Sequence, residues 1–225
     1  MLRAFLHSLV RILLFLLARL DAQGLENIPP SGPAVLAANH LSRLDPPLIF
    51  GLVERRDITA LVADKYKKYP LIRPLVIAVG GIWINREQAD FHALREAVDY
   101  LKQGGLLGVA PEGTRSRTGA LTTAKTGAAY LVERAGVPVI PVAIWGTETA
   151  VRQLLHLRRP SLHVRFGKPF CLPRLARGDR SAGLQCNTDE VMCRIASQLP
   201  ERYRGAYTDH PRLKELLAGQ GQLLR

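Results

Sequence analysis

Cysteine is nearly missing from this 225-residue chain. The three that occur, Cys171, Cys186 and Cys193, all lie in the last quarter and lack the paired spacing of a zinc site or a disulfide framework. That argues for a reducing, cytosol-facing compartment. Acidic residues are also scarce: 19 Asp plus Glu stand against 31 Lys plus Arg, a formal charge of +12. The expected partner is therefore anionic, whether nucleic acid, an acidic lipid surface, a phosphorylated substrate or an acidic carrier protein. Aromatics are few, at 6%, and the basic residues are not interleaved with stacking rings, which counts against nucleic acid. There is no G-x-S-x-G nucleophile elbow. Nor is there a nucleotide P-loop: "GVAPEGTRS" has the G-x4-G spacing without the following lysine, and "AKTG" lacks the preceding glycines. Internal repeats and low-complexity tracts are absent, and the length suits one α/β domain with appendages.

A long uncharged apolar run is missing too. The most hydrophobic stretch, "MLRAFLHSLVRILLFLLARLDAQG", is interrupted by Arg3, His7, Arg11 and Arg19, so it falls short of the ~20 residues that span a bilayer. Arg19 and Asp21 follow the apolar run without a small-residue cleavage site, unlike a signal peptide. Arg3, His7 and Arg11 recur every four residues and form one polar stripe on a helix, with Phe5, Leu9, Ile12, Leu13, Phe15, Leu16 and Leu20 around the remainder. Residues 1–24 thus read as a helix lying in an anionic membrane surface with its arginines reaching phosphates. A helix packed in the protein's own core is the competing reading.

From residue 33 onward short β-branched runs alternate with segments of helical period, the signature of an α/β fold with a mostly parallel central sheet flanked by helices. The expected strands are 34–38, 58–63, 81–84, 106–110, 137–144 and 162–166. In "DFHALREAVDYLKQGG", Phe91, Leu94, Val98 and Leu101 share a face, Asp90 caps the start, and Gly104 with Gly105 stops the helix. "TGAAYLVERAG" is a second helix ended by Gly136. Pro138 and Pro141 point to an edge strand or a bulge at 137–144. Residues 171–187 read as basic loop, a helix follows near 188–199, and the α/β domain spans 25–206 with a C-terminal tail at 207–225.

The chemistry concentrates in "NHLSRLDPP", residues 39–47. Pro46 pushes Asp45 out of the α region, so Asp45 reads as the N-cap of a helix from about 46 to 55. His40 follows a buried strand, at the carboxyl-end rim where open α/β sheets bind ligands. Residues five apart diverge by roughly 140° on a straight helix, so the pair meets only across an irregular turn, as the double proline suggests. An ionised Asp45 accepting from one imidazole nitrogen would fix the tautomer and leave the other nitrogen as a base. Ser42, two residues away, is the only nearby hydroxyl, so the acceptor of an acyl group is expected to come from the substrate. A packed histidine and a simple helix cap remain the plainer alternative for this segment alone.

Three further stretches change the reading. "NHLSRLD" (39–45), "GGIWINR" (80–86), "APEGTRS" (110–116) and "VPVIPVAI" (137–144), in that order, resemble the four blocks of the glycerolipid acyltransferase family. The blocks cover residues 39–144, and Ala110 departs from the bulky residue usual before Pro-Glu-Gly. The resemblance implies a fatty acyl transfer from a thioester, acyl-CoA or an acyl-carrier protein, to the sn-2 hydroxyl of a lysophosphatidic acid, without a cofactor. In family terms His40 and Asp45 are catalytic. Arg86, Glu112, Gly113, Thr114 and Arg115 hold the glycerol phosphate, with Glu112 bonding a glycerol hydroxyl or holding an arginine. Lys125, in "AKTGA", approaches phosphate or the donor's pantetheine arm. The cytoplasmic face of the cell membrane is the expected location. Read from the residues alone, "PEGTRS" offers backbone N–H groups at Gly113, a hydroxyl and a guanidinium, which together suit a phosphate oxyanion.

Overall fold

A computed structural model of the chain describes residues 1–86, 88, 90–175 and 180–223. The strands are β1 (Arg19–Gln23), β2 (Ala34–Ala38), β3 (Ile58–Ala63), β4 (Ile82–Ile84), β5 (Leu106–Val109), β6 (Val139–Trp145) and β7 (Ser161–Phe166). The helices are α1 (Leu2–Leu17), α2 (Asp45–Leu52), α3 (Ile72–Ala78), α4 (Phe91–Lys102), α5 (Gly127–Ala135), α6 (Ala150–Leu155), α7 (Arg180–Ala196) and α8 (Pro211–Leu223). All strands join one sheet in the order β1-β7-β6-β2-β5-β3-β4. The five from β6 to β4 are parallel, β7 runs antiparallel to β6, and β1 lies parallel to β7. The expected α/β class, mostly parallel and flanked by helices, is what forms.

β2 explains why the sheet is covered on both faces. All five of its residues are buried. Ala34, Leu36 and Ala38 pack with Leu48 and Val53 of the α2 side, while Val35 and Ala37 pack with Ala97, Leu101, Leu131 and Ile195 of α4, α5 and α7. A period of two thus feeds two separate cores. Within α4 the Asp90 carboxylate caps as expected, accepting from the Ala93 N–H at 3.0 Å. The buried face of α4 is Ala93, Ala97, Val98 and Leu101, whereas Phe91 is exposed. Gly136 ends α5 in the left-handed region.

Several expectations change. The helix read through residue 24 stops at Leu17, and Arg19–Gln23 is an edge strand. "RLDAQ" has no β-branched or aromatic residue, so nothing local marks it. It is held instead by Asp21, which accepts from Arg165 and His163, interactions that pull its carboxyl down to about 2. β6 is an interior strand despite Pro141, and Pro138 lies just before it. Pro141, which has no N–H to donate, falls where regular pairing with β7 is interrupted, between the Val139 bridge to Phe170 and the pairing that begins at Val142, and its carbonyl accepts from Gly167. The helix expected near 188 already runs from Arg180, and Cys193 within it is buried, which pushes its thiol up to about 12. The stretch 207–225 contributes Tyr207 and Leu213 to the core, with α8 packed against α7.

The largest change concerns α1. Its polar stripe faces the protein: Arg3 donates to the Ile58 carbonyl, His7 Nε2 lies 2.9 Å from the Val53 carbonyl, and Arg11 pairs with Glu54 at 3.4 Å. Val10 and Leu14 approach α2 so closely that a Cβ on Gly51 would meet them within 3.0 Å. No α1 residue is buried, and Leu2, Phe5, Ile12, Phe15 and Leu16 are exposed.

Candidate active site

Asp45 is the first residue of α2, not its cap; Leu44 takes that position. The carboxylate turns backward onto the loop instead. Its Oδ2 accepts from the Leu41 N–H at 2.7 Å and the Ser42 N–H at 2.8 Å, and lies 2.8 Å from His40 Nδ1. Oδ1 accepts from Thr147 Oγ1 at 2.5 Å. The side chain of Asp45 is 4% exposed and that of His40 14%. Two backbone donors and a hydroxyl already address the carboxylate, so it acts as an acceptor and Nδ1 carries the imidazole proton. Nε2 is then left with a lone pair and, among the described residues, no hydrogen-bond partner. The irregular 39–44 turn closes the five-residue gap that a helix would leave open.

Asn39 and Glu112 fix the frame around this pair. Asn39 is buried and makes two bonds with the Ile144 backbone, both 2.8 Å, tying the end of β2 to the end of β6. Glu112 is 2% exposed. Its Oε1 accepts from the His40 backbone N–H at 3.1 Å, and its Oε2 from the Thr122 N–H and hydroxyl at 2.9 and 2.7 Å. Among the described residues these bonds tie Glu112 to the His40 backbone and to Thr122, and no arginine is among its partners. Burial pushes its carboxyl above the ordinary glutamate range, and the Thr122 and His40 donors only partly oppose that. The Ser116 N–H donates to the His40 carbonyl at 2.8 Å, so the 111–116 loop is laced directly to the histidine.

The cations gather on the far side of that loop. Arg86, at the end of β4, is half-buried and donates to the Gly113 carbonyl at 3.0 Å and the Leu61 carbonyl at 3.4 Å. Burial lowers its pKa from the usual arginine value. Lys125 Nζ donates to the Arg86 carbonyl at 3.2 Å, and its stem lies against Gly113. Gly113 has φ +70, a left-handed backbone that calls for glycine, and a Cβ there would sit 3.3 Å from Lys125 Cδ. Thr114 is exposed, and the half-buried Arg115 guanidinium has no partner among the described residues. Loops from the carboxyl ends of β2, β4, β5 and β6 therefore meet at one rim, with an oriented imidazole on one side and three cations around a glycine turn on the other.

The profile of the family described as Acyltransferase matches residues 19–145. The chain belongs to that acyltransferase family. A 1-acyl-sn-glycerol-3-phosphate acyltransferase of Borreliella burgdorferi is 28% identical over 145 residues, 63% of this chain and 58% of the relative. A chloroplastic one of Brassica napus is 32% identical over 131 residues, 56% of this chain and 37% of the relative. The chain thus spans about half the length of these curated relatives, or less. The crystal structure of the 1-acyl-sn-glycerophosphate (LPA) acyltransferase PlsC from Thermotoga maritima is similar at a TM-score of 0.65 and 27% identity, over 84% of this chain and 76% of that one.

Within this acyltransferase fold three residues escaped the sequence reading. Asn39 sits in the quoted block, and its burial is suggested only by its place after an all-apolar strand. Thr147 follows Gly146, whose φ of +87 turns the chain back over the rim; a Gly-Thr step after a strand was the available signal. Thr122 had none, since it meets Glu112 only through the loop's return.

Proposed function

We propose that this acyltransferase moves a fatty acyl group from an acyl thioester to the sn-2 hydroxyl of lysophosphatidic acid, giving phosphatidic acid. The observation that carries the reading is the His40 Nδ1 to Asp45 Oδ2 contact of 2.8 Å beside the Arg86–Gly113–Lys125 cluster. His40 Nε2 takes the hydroxyl proton as the oxygen attacks the thioester carbonyl. The new C–O bond forms, the C–S bond breaks, and the proton passes to the leaving thiolate. A thiolate leaves readily, being the base of a thiol with pKa around 8.5, so no second acid and no cofactor are required. Arg115, with Arg86 and Lys125, receives the acceptor's phosphate, and Glu112 serves by holding the His40 backbone. The names of the relatives and the likeness to the Thermotoga enzyme support this acceptor. For the donor, acyl-CoA and acyl-carrier protein share the same thioester.

The same proposal places the chain at the cytoplasmic face of the cell membrane. Among the described residues no helix is long and apolar enough to cross a bilayer. The outward apolar face of α1 suits burial in the headgroup boundary, with the net charge of +12 favouring an anionic leaflet. The test is mass spectrometry of products after mixing the protein with several lysolipids and both thioester donors. The expected product is phosphatidic acid, one acyl chain heavier than its acceptor; free fatty acid alone would mark a thioesterase and sink the reading.

A further inference from the structure

Exposed large apolar side chains are not scattered over this molecule. Apart from Leu25 and Phe91, those among the described residues fall in three segments: Met1 with α1, the stretch 69–77 that includes α3, and 151–157 at α6. The three adjoin. Arg3 Nη1 in the first turn of α1 lies 3.7 Å from where a Cβ on Gly80, just past α3, would sit. At the other end of α1, Arg159, just past α6, donates to the carbonyls of Phe15 and Ala18 at 2.8 and 2.9 Å. The connections β2 to β3 and β3 to β4 step the same way across the sheet, so right-handed crossovers put α3 on the same face as α2 and α1.

Both flanking segments combine apolar tips with cations. α3 turns Val76 inward and leaves Leu75 50% exposed, and Leu71 just before it is 81% exposed. From Lys65 to Arg86 the sequence contains no Asp or Glu, and four cations lie between 65 and 73. Leu155, the last residue of α6, is 80% exposed, and Leu157 just past it is 97% exposed. Leu157 also has φ 55, a left-handed backbone strained for a leucine, among Arg152, Arg158 and Arg159 and again without an acid. Exposed leucines in segments that carry cations and no acid match the boundary between acyl chains and anionic headgroups.

We infer that α3 and the 151–157 turn are two further bilayer contacts, one at each end of α1, which together seat this face of the domain on an anionic leaflet. The inference rests on the membrane reading of α1. One amphipathic helix fixes depth but leaves the domain free to roll about the helix axis; three contacts fix the tilt. The residues 64–68 that lead to α3 leave the carboxyl end of β3, and the loop to α6 leaves that of β6. The seated face therefore ends at the rim that carries His40, where a lipid acceptor would leave the membrane.

The experiment is flotation of the full chain with vesicles of phosphatidylcholine alone and with added phosphatidylglycerol, comparing wild type, Leu71→Ser/Leu75→Ser and Leu155→Ser/Leu157→Ser. Each pair is expected to lower affinity for the anionic vesicles about tenfold, within the range for partial burial of two leucines, with turnover on vesicle-borne lysophosphatidic acid falling in step. Turnover on a short-chain, water-soluble lysophosphatidic acid should stay at the wild-type level. Unchanged vesicle affinity in either pair overturns the three-contact arrangement. So does a wild-type dimer that the substitutions split while vesicle binding survives, since the surface then joins two copies of the chain. Failure of the wild type to acylate any lysolipid would instead overturn the proposed function, and the flotation result would still decide the docking.

Discussion

The two sides of the rim are built to opposite rules. On the histidine side every oxygen of Asp45 and Glu112 is engaged by a named donor, both carboxylates are almost fully buried, and the Asn39 amide stitches two strand ends together. On the cationic side Thr114 is exposed and Arg115 is unpartnered among the described residues, while Arg86 and Lys125 spend only some of their donors on backbone carbonyls. A base must hold one tautomer and one direction before substrate arrives, so saturating its neighbours lowers the reorganisation required of it. A phosphate pocket gains from donors left free, because each saturated one would have to be broken to bind.

The largest effect should come from the saturated side. His40→Ala should lower acyl transfer by ~10²–10⁴ while the circular dichroism spectrum and melting temperature hold; activity at a tenth of wild type or more would remove the general-base role. On the open side, Arg115→Ala should raise the KM for lysophosphatidic acid about tenfold with kcat nearly unchanged, because only binding is lost. Arg86→Ala should raise KM as well and also lower the melting temperature, since the hydrogen bonds to the Gly113 and Leu61 carbonyls go with it. Equal melting temperatures for the two variants would mean that Arg86 is not the more structural of the pair.

The smallest effect sharpens the contrast by pH. Glu112 has its folded-state pKa raised by burial. The stabilisation linked to its protonated form is therefore complete below the unfolded glutamate value and is lost as pH rises through the higher folded value. Glu112→Gln should flatten that decline in unfolding free energy above about pH 4.5, which chemical denaturation across a pH series would measure. A slope identical to wild type would show that the buried carboxylate does not couple to folding.

Much of this was legible in local pattern. The strands at 34–38 and 58–63, the Asp90 cap and the Gly136 stop follow from alternation and capping chemistry, which depend on neighbours within a few residues. The four blocks marked the rim because His40, Arg86 and the 111–116 loop each follow directly from a strand end. What failed depended on distant partners. β1 is held by pairing with β7 and by the Arg165 and His163 side chains that β7 supplies, and β6 keeps Pro141 in mid-sheet where regular pairing with β7 is interrupted. The α1 stripe shows the same limit: periodicity separates a polar from an apolar face without saying which one meets the domain.

The amino-acid order by itself determined the α/β alternation, the pairing of His40 with Asp45 in one short loop, the cationic excess and a helix too interrupted by charge to cross a membrane. Only the tertiary structure decided that Glu112 accepts from the His40 backbone, that Thr147 completes the Asp45 shell, and that α1 presents leucine and phenylalanine outward. The reason is physical: these outcomes are set by which buried donor finds which acceptor across 70 to 100 residues of chain, as in the bonds His40 to Glu112 and Thr147 to Asp45, and such meetings leave no periodic trace in the sequence.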